Sequence, residues 1–403
     1  MAYWAFTLTD GALRMLVLLF LHEQGYGPLA LASLFLFYEF FGILTNFFGG
    51  LLATQIGLKA ALVAGLTLQI VALVALGWQA AVLSIPFVMV AQAASGIAKD
   101  LVKMASKSWV KLAVTPGDAS RLMYWVSVLT GSKNALKGFG FFLGGALLTA
   151  VGFAQANFGM AAFLTLATVL SLLLLPGGAG KSTAKVKVKQ MLSRDTRLNR
   201  LSLARFFLFG SRDAWFVVAL PVFLTATLGL THAQTGAFLA LWVVGYGFAQ
   251  SLTPRVLKTA QSPPSAKTAA RWTTCLAPIL ALLLIALWYL GAEATARSMI
   301  LTLAGGLGLF GFVFAMNSAI HSFLVVHWAQ QDKVAADIGF YYSANAAGRL
   351  VGTILSGWLF QLAGQGVNGL LLCLLASFVF VVASSCILSL STFSKPILDY
   401  AKK

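Results

Sequence analysis

The sequence predicts an all-α integral membrane protein, with twelve transmembrane helices arranged as two six-helix bundles related by pseudo-symmetry. Three observations carry this. The 403 residues are 59% hydrophobic and only 10% charged, against a charged share of about 25% in soluble domains. Apolar runs long enough to cross a bilayer recur along the whole chain, separated by short polar stretches. Lys and Arg crowd into alternate loops, the asymmetry that orients membrane helices.

The apolar runs place the spans at 2–21, 29–52, 58–78, 83–104, 121–151 and 157–176, then 201–228, 234–254, 271–290, 297–325, 337–362 and 369–392. Lys59, the Lys99–Arg121 region, Lys181–Arg200, Arg255–Arg271, Lys333 and Lys395–Lys403 then fall on one side, and only Arg297 lies at a helix edge on the other. By the positive-inside bias that side is cytoplasmic, with both termini on it, as expected of a multi-pass protein of a bacterial inner membrane. The formal net charge of +17 would also suit a nucleic-acid partner, but the charge follows the loops rather than one face. Cys275, Cys373 and Cys386 sit in apolar runs at no metal-ligand spacing and read as small core residues, so no metal or disulfide is expected. The first apolar run carries Asp10 and Arg14, unlike the apolar stretch of a cleavable leader.

The domain organisation follows: a six-helix bundle over 1–176, a cytoplasmic linker over 177–200 rich in Gly, Ser, Lys and Arg, and a second bundle over 201–403. Pro176–Ser182 resembles a phosphate-binding loop, but Leu175 replaces the leading glycine and an apolar helix, not a strand, precedes it. A flexible basic linker is the better reading, and no nucleotide or other cofactor is expected. Repeat traces connect the bundles. Gly140–Gly145 aligns with Gly352–Gly357, which sets Lys137 opposite Arg349 and Lys133 opposite Asn345; Asp10 aligns with Asp213, and Tyr38 and Asn46 with Trp242 and Gln250. Parallel six-helix repeats with a substrate held between them near the midplane describe the major facilitator fold.

The candidate site is a set of ionisable residues inside apolar runs, where charge is costly and marks function. Lys133 and Lys137 stand on one face of the fifth span, Lys133 about 18 Å along the axis from Arg121. With Arg349, Asn345, Arg14, Arg212, Tyr38 and His321 they form the expected substrate-binding set. Asp10 and Arg14 are spaced as an i,i+4 ion pair, either self-neutralising or a gate. Glu39 has no cation within four positions on its own helix, so it is either a proton carrier or the tertiary partner of a cation such as Arg14. Glu39, Asp10 and Asp213 are the expected coupling and gating groups. Lys99, Lys103, Lys107 and Lys111 form a four-residue stripe; Lys99 and Lys103 read as a cytoplasmic vestibule, Lys107 and Lys111 as lipid anchors. Asp100 projects about 100° away from Lys99 and is not expected to neutralise it. Arg205 reads as interfacial, and His321 reads equally as a packing histidine. Deep cations outnumber deep carboxylates, so the transported species should be an anion, with Arg and Lys both suited to phosphate-like oxyanions.

Gly50–Lys59 resembles the loop motif of the major facilitator superfamily, with Thr54 in place of its Asp and Gln55 and Leu58 in place of its basic residues. Gln92 stands where many proton-coupled members have Arg, and Phe141 replaces the proline of the antiporter motif. A narrower likeness runs over nearly the whole chain. The segments TLTDGALRMLVLLFL (7–21), FYEFFGILTNFFGG (37–50), SGIAKDLVKM (95–104), TGSKNALKGFGFF (130–142) and ARFFLFGSRDAWFVVALPVF (204–223) resemble the ArsJ organoarsenical efflux permeases. The resemblance implies export of 1-arseno-3-phosphoglycerate, arsenate resistance, and a functional partner in glyceraldehyde-3-phosphate dehydrogenase, which makes that compound. A monomer is expected. The alternative is an antiporter of the same fold for another phosphorylated or organic anion, or for drugs. An enzyme is not expected, because the short loops hold no paired carboxylates and no Ser/His/Asp grouping.

Overall fold

The computed structural model describes residues 1–24, 36–115, 117–176, 195–230, 232–259, 261–291, 295–330, 334–364 and 366–392. Among them every regular element is helical. The first half comprises α1 (Ala2–Glu23), α2 (Leu36–Ile56), α3 (Leu58–Trp78), α4 (Ile85–Ala113) and α5 (Ala119–Leu174). The second comprises α6 (Thr196–Phe216), the short α7 (Ala219–Val222), α8 (His232–Val256), α9 (Ala266–Thr274), α10 (Leu276–Leu290), α11 (Ala296–Trp328), α12 (Val334–Leu362) and α13 (Val367–Thr392). Helix α5 supplies two spans. Gly152, at φ 79°, breaks it in the left-handed region open to glycine, so the chain reverses within one residue. Helices α6 and α7 run on through a π-helical turn at Phe223–Thr227 to complete the seventh span, and α9 joins α10 at Cys275 to make the ninth.

Two expectations shift at the edges. Most of the linker, 177–194, lies outside the described residues, as do Lys181, Lys333 and Lys395–Lys403. Its last residues are not linker: the Asp195 side chain accepts the Arg197 backbone N–H at 2.8 Å and caps α6, which therefore starts at Thr196 rather than 201. Helix α4 extends to Ala113, because the lysine stripe continues the helix instead of ending it.

Among the described residues, six helical stretches are apolar enough on composition alone to span a bilayer: α3, α4, α5, α9 with α10, α11 and α13. Helices α6 and α12, which hold Arg212, Asp213 and Arg349, are not among them. They depend on the bundle to neutralise their charges.

Each half has its own apolar core, one around Leu13, Leu16, Leu66 and Phe153, the other around Trp215, Phe223, Phe310 and Phe314. A third core joins the halves at the end where α4 stops and α5 starts, packing Met104, Met123 and Val126 against Leu201, Phe323, Leu324 and Tyr341. Hydrogen bonds tie that end further. Lys111 Nζ donates to the His327 carbonyl at 2.8 Å, Ser120 Oγ to the Thr259 carbonyl at 2.6 Å, and Ser343 Oγ to the Ile43 carbonyl at 2.7 Å. Toward the opposite end Phe40, Phe142, Leu241, Ile354 and Trp358 are exposed. The halves are sealed at the linker end.

Gln79 and Ser262 are both exposed, at opposite ends of the helices. In membrane vesicles of one orientation, single cysteines at these positions should react with an impermeant maleimide from opposite faces. Labelling of both from the same face would contradict the arrangement.

Candidate functional site

The site begins with two helix crossings that only small residues permit. In α5, Gly140 faces α1 so closely that a Cβ there would sit 2.7 Å from the Leu8 carbonyl, and Gly144 meets Ala12. In α12, Gly352 packs against Gly210 of α6, where a Cβ would come 2.5 Å from a backbone oxygen. Close backbones of this kind are how membrane helices associate. One turn before each small-residue stretch stands a cation, and each crossing delivers it to a carboxylate. Lys137 Nζ lies 3.7 Å from Asp10 Oδ2, and Arg349 Nε donates to Asp213 Oδ2 at 3.0 Å. The pseudo-symmetry expected between Lys137 and Arg349, and between Asp10 and Asp213, is present in these two pairs.

The pairs are then cross-linked. Arg349 Nη2 donates to Glu39 Oε1 at 3.0 Å, a contact between the second half and the first. Glu39 also lies 3.5 Å from Arg14 and 3.9 Å from Lys99. It is therefore not the isolated carboxylate that its own helix suggests, because its three cations come from α1, α4 and α12. Asp10 is served by Lys137 and by the Tyr38 hydroxyl, which donates to Oδ1 at 2.7 Å, while Arg14 reaches to Glu39; the simple i,i+4 pair is replaced by a tertiary one. Tyr38, expected to touch substrate, is fully buried. Its ring is held between the Arg14 guanidinium at 3.7 Å and the Lys99 ammonium at 3.9 Å, a geometry that attracts cations to the ring faces.

Asp100 does neutralise Lys99, at 3.5 Å, and also bonds Lys103. The expectation from helical angle fails because a long lysine chain swings back toward its neighbour's carboxylate. Lys99 and Lys103 thus lie inside the bundle, not in an open vestibule, and Lys103 sits over the Tyr342 ring. Lys107, read as a lipid anchor, is 2% exposed; it donates to Thr130 Oγ1 at 3.1 Å and bonds the Tyr342 hydroxyl across the two halves. Arg205 is not interfacial either. It is 3% exposed, donates to Asn345 Oδ1 at 2.9 Å and stacks on Phe209. Asn345 is thereby occupied, and so is Arg212, which bonds Asp213. His321 is wholly buried beside the seal, next to Ile320 and within one turn of Phe323 and Leu324.

Lys133 differs from the rest. It is partly buried on α5, one turn from Lys137, and no carboxylate among the described residues lies within salt-bridge distance of it. Around the centre, Arg14, Lys99, Lys103, Lys133, Lys137, Arg212 and Arg349 face Asp10, Glu39, Asp100 and Asp213, seven cations to four carboxylates. Two pairings across the halves are not read from the sequence, Lys107 with Tyr342, which the sequence suggests only as an aromatic near the path, and Asn134 with Gln250, bonded at 2.6 Å. No group of His, Cys, Asp and Glu among the described residues could hold a metal ion.

A sequence profile of the Major Facilitator Superfamily matches residues 1–291. The chain belongs to this superfamily. It is a transporter of the multi-pass membrane class rather than an enzyme. Solved structures agree over its full length. A bacterial homologue of the iron transporter ferroportin in an outward-facing state aligns with a TM-score of 0.77 at 15% identity, covering 98% of both chains. The human organic anion transporter MFSD10 aligns at 0.71 and 16%, covering 96% of this chain and 97% of the other. The E. coli fucose:proton symporter FucP aligns at 0.68 and 15%, covering 95% and 96%. Among curated protein sequences there is no match.

Asp213 is 0% exposed and neutralises two arginines. Asp213→Asn should cost about 3–5 kcal/mol, the range for stranding a buried charge, read as earlier loss of monodisperse protein on heating. The double variant Asp213→Asn/Arg349→Gln should be less destabilised than Asp213→Asn alone. Wild-type stability for Asp213→Asn would contradict the pairing.

Proposed function

We propose that this transporter is an efflux carrier for a multiply charged organic oxyanion, 1-arseno-3-phosphoglycerate, and that it confers arsenate resistance. The observation that supports an anion is the excess of Lys and Arg over carboxylates at the centre, where Lys133 has no carboxylate within salt-bridge distance among the described residues. A carboxylate, phosphate or arsenate entering between the halves would supply the missing negative charge. An iron cation, the cargo named for the ferroportin family, would meet that positive surplus instead. The specific compound rests on the ArsJ-like segments, of which 7–21, 37–50, 95–104 and 130–142 include Asp10, Arg14, Tyr38, Glu39, Lys99, Asp100, Lys133 and Lys137. The dehydrogenase that makes the compound is then the functional partner, and a monomer suffices because both halves lie in one chain.

In this reading the sequence organisation stands as two bundles, 1–176 and 201–403, with the linker and both termini in the cytoplasm of a bacterium. The sealed linker end then faces the cytoplasm and the opposite end faces outward. Glu39 acts as an internal surrogate for the substrate. It occupies Arg349, Arg14 and Lys99 when the site is empty, and an incoming anion takes over these cations. Because Glu39 and Arg349 belong to different halves, that exchange loosens the seal and permits alternating access. With three cations around it, Glu39 serves as a gate, and proton carriage is not part of the reading. Export of an anion is favoured by a membrane potential negative inside, by about 2.3 kcal/mol per net charge per 100 mV. A second reading, a carrier of another organic anion, is favoured by the likeness to the organic anion transporter MFSD10.

The test is uptake into everted vesicles, with glyceraldehyde-3-phosphate dehydrogenase generating the substrate outside. Lys133→Ala should reach the membrane at normal levels and lose export by about 10–100-fold, the effect of removing one contact to a charged group. Arg349→Lys should retain part of the activity, because it keeps the charge and loses the bidentate fork. Full export by Lys133→Ala would refute the site. Full export of other organic anions, with none of the arseno compound, would select the second reading.

A further inference from the structure

The linker-end seal carries a second cationic feature that the transport site does not use. Between the start of α5 and the end of α8 lies a cavity of about 700 Å³, lined by Ser120, Arg121, Tyr124, Trp125, Arg255 and Lys258 among others, with no carboxylate in its wall. The two walls belong to different halves. They are joined beneath it by the Ser120 Oγ bond to the Thr259 carbonyl, at 2.6 Å. Lys258, at φ 50°, takes a left-handed conformation rare for a side-chain-bearing residue. That turn ends α8 and brings Thr259 to Ser120, with Lys258 itself on the cavity wall. Backbone held this way marks a position that the surroundings enforce.

We infer that this cavity binds the headgroup of an anionic phospholipid from the leaflet at the linker end. Three cations line the wall and, among the described residues, no carboxylate does, Asp118 lying outside it as the cap of α5; this suits a phosphodiester. Tyr124 and Trp125 are 47% and 44% exposed beside them, the amphipathic pair found at the level of lipid headgroups. Leu122 begins the apolar part of α5 at this point, so the cavity opens where the chain enters the bilayer. A basic pocket between membrane helices is the usual form of a headgroup site. Val256, 47% exposed next to Arg255, continues the surface with an apolar group that an acyl chain could cover. Because Arg121 comes from the first half and Arg255 and Lys258 from the second, one bound headgroup bridges the halves. It favours the conformation in which the linker end is closed.

The site is independent of the substrate and of its identity. Native mass spectrometry of the purified protein, loaded with phosphatidylglycerol or with phosphatidylcholine, tests it. Phosphatidylglycerol adducts should be retained about tenfold or more over phosphatidylcholine, since each basic side chain near the surface adds attraction. The triple variant Arg121→Gln/Arg255→Gln/Lys258→Gln should lose that preference. If the triple variant is not monodisperse, Lys258→Gln alone should reduce it several-fold. Hydrogen exchange at residues 119–125 should slow in phosphatidylglycerol nanodiscs relative to phosphatidylcholine ones, and only in the wild type. Equal retention of the two lipids, or a preference that survives the substitutions, would overturn the proposal. Displacement of the adduct by millimolar inorganic phosphate would also overturn it, assigning the cavity to free phosphate.

Discussion

Everything at the centre of this protein depends on the requirement that a charge inside a membrane be balanced. Asp10 and Asp213 are almost wholly buried on the first helix of each half, and each is met by a cation from the fifth helix of the same half. Neither partner could be carried alone at acceptable cost. The glycines at 140 and 144 and at 352 are the precondition, since they let the backbones approach until the side chains meet. Packing and electrostatics are one constraint here. A larger residue at Gly140 would separate Asp10 from Lys137 and expose both to the cost of burial.

The same requirement links the halves. Glu39 belongs to the first, yet one of its cations, Arg349, is also the cation that Asp213 neutralises in the second. The closed end is thus held by apolar packing across the halves, by Lys107 with Tyr342, and by one carboxylate that bridges them at the site itself. A network of this kind is easily re-partitioned. A ligand of like charge to Glu39 can substitute for it without leaving any cation bare, so exchange at the site can alter the seal with little net loss of pairing.

The fold class was legible in hydropathy and in loop charge, because both are set by the bilayer rather than by tertiary detail. So were the pseudo-symmetric pairs, since Lys137, Arg349, Asp10 and Asp213 stand in matching positions relative to small-residue stretches that any close crossing needs. Partner choice was not legible. Glu39 looks isolated on its own helix, and Lys107 looks like a surface lysine on a stripe that continues outward to Lys111. Arg205 near a helix end looks interfacial. In each case the deciding groups, Arg349, Tyr342 and Asn345, arrive from α12, about 140 to 310 residues away in the chain. Helical spacing cannot report them. Asp100 failed for a different reason: angular position locates a Cα, whereas a lysine ammonium ranges several ångströms from it.

Glu39 is proposed to occupy the cations that an anionic substrate would need. Equilibrium binding of a stable phosphorylated hydroxy acid to purified protein tests this most directly, comparing wild type with Glu39→Gln. If the carboxylate is an internal competitor, its removal should tighten binding by about an order of magnitude, the effect of about 1.4 kcal/mol, even where transport is impaired. Unchanged or weaker binding by Glu39→Gln would contradict the account.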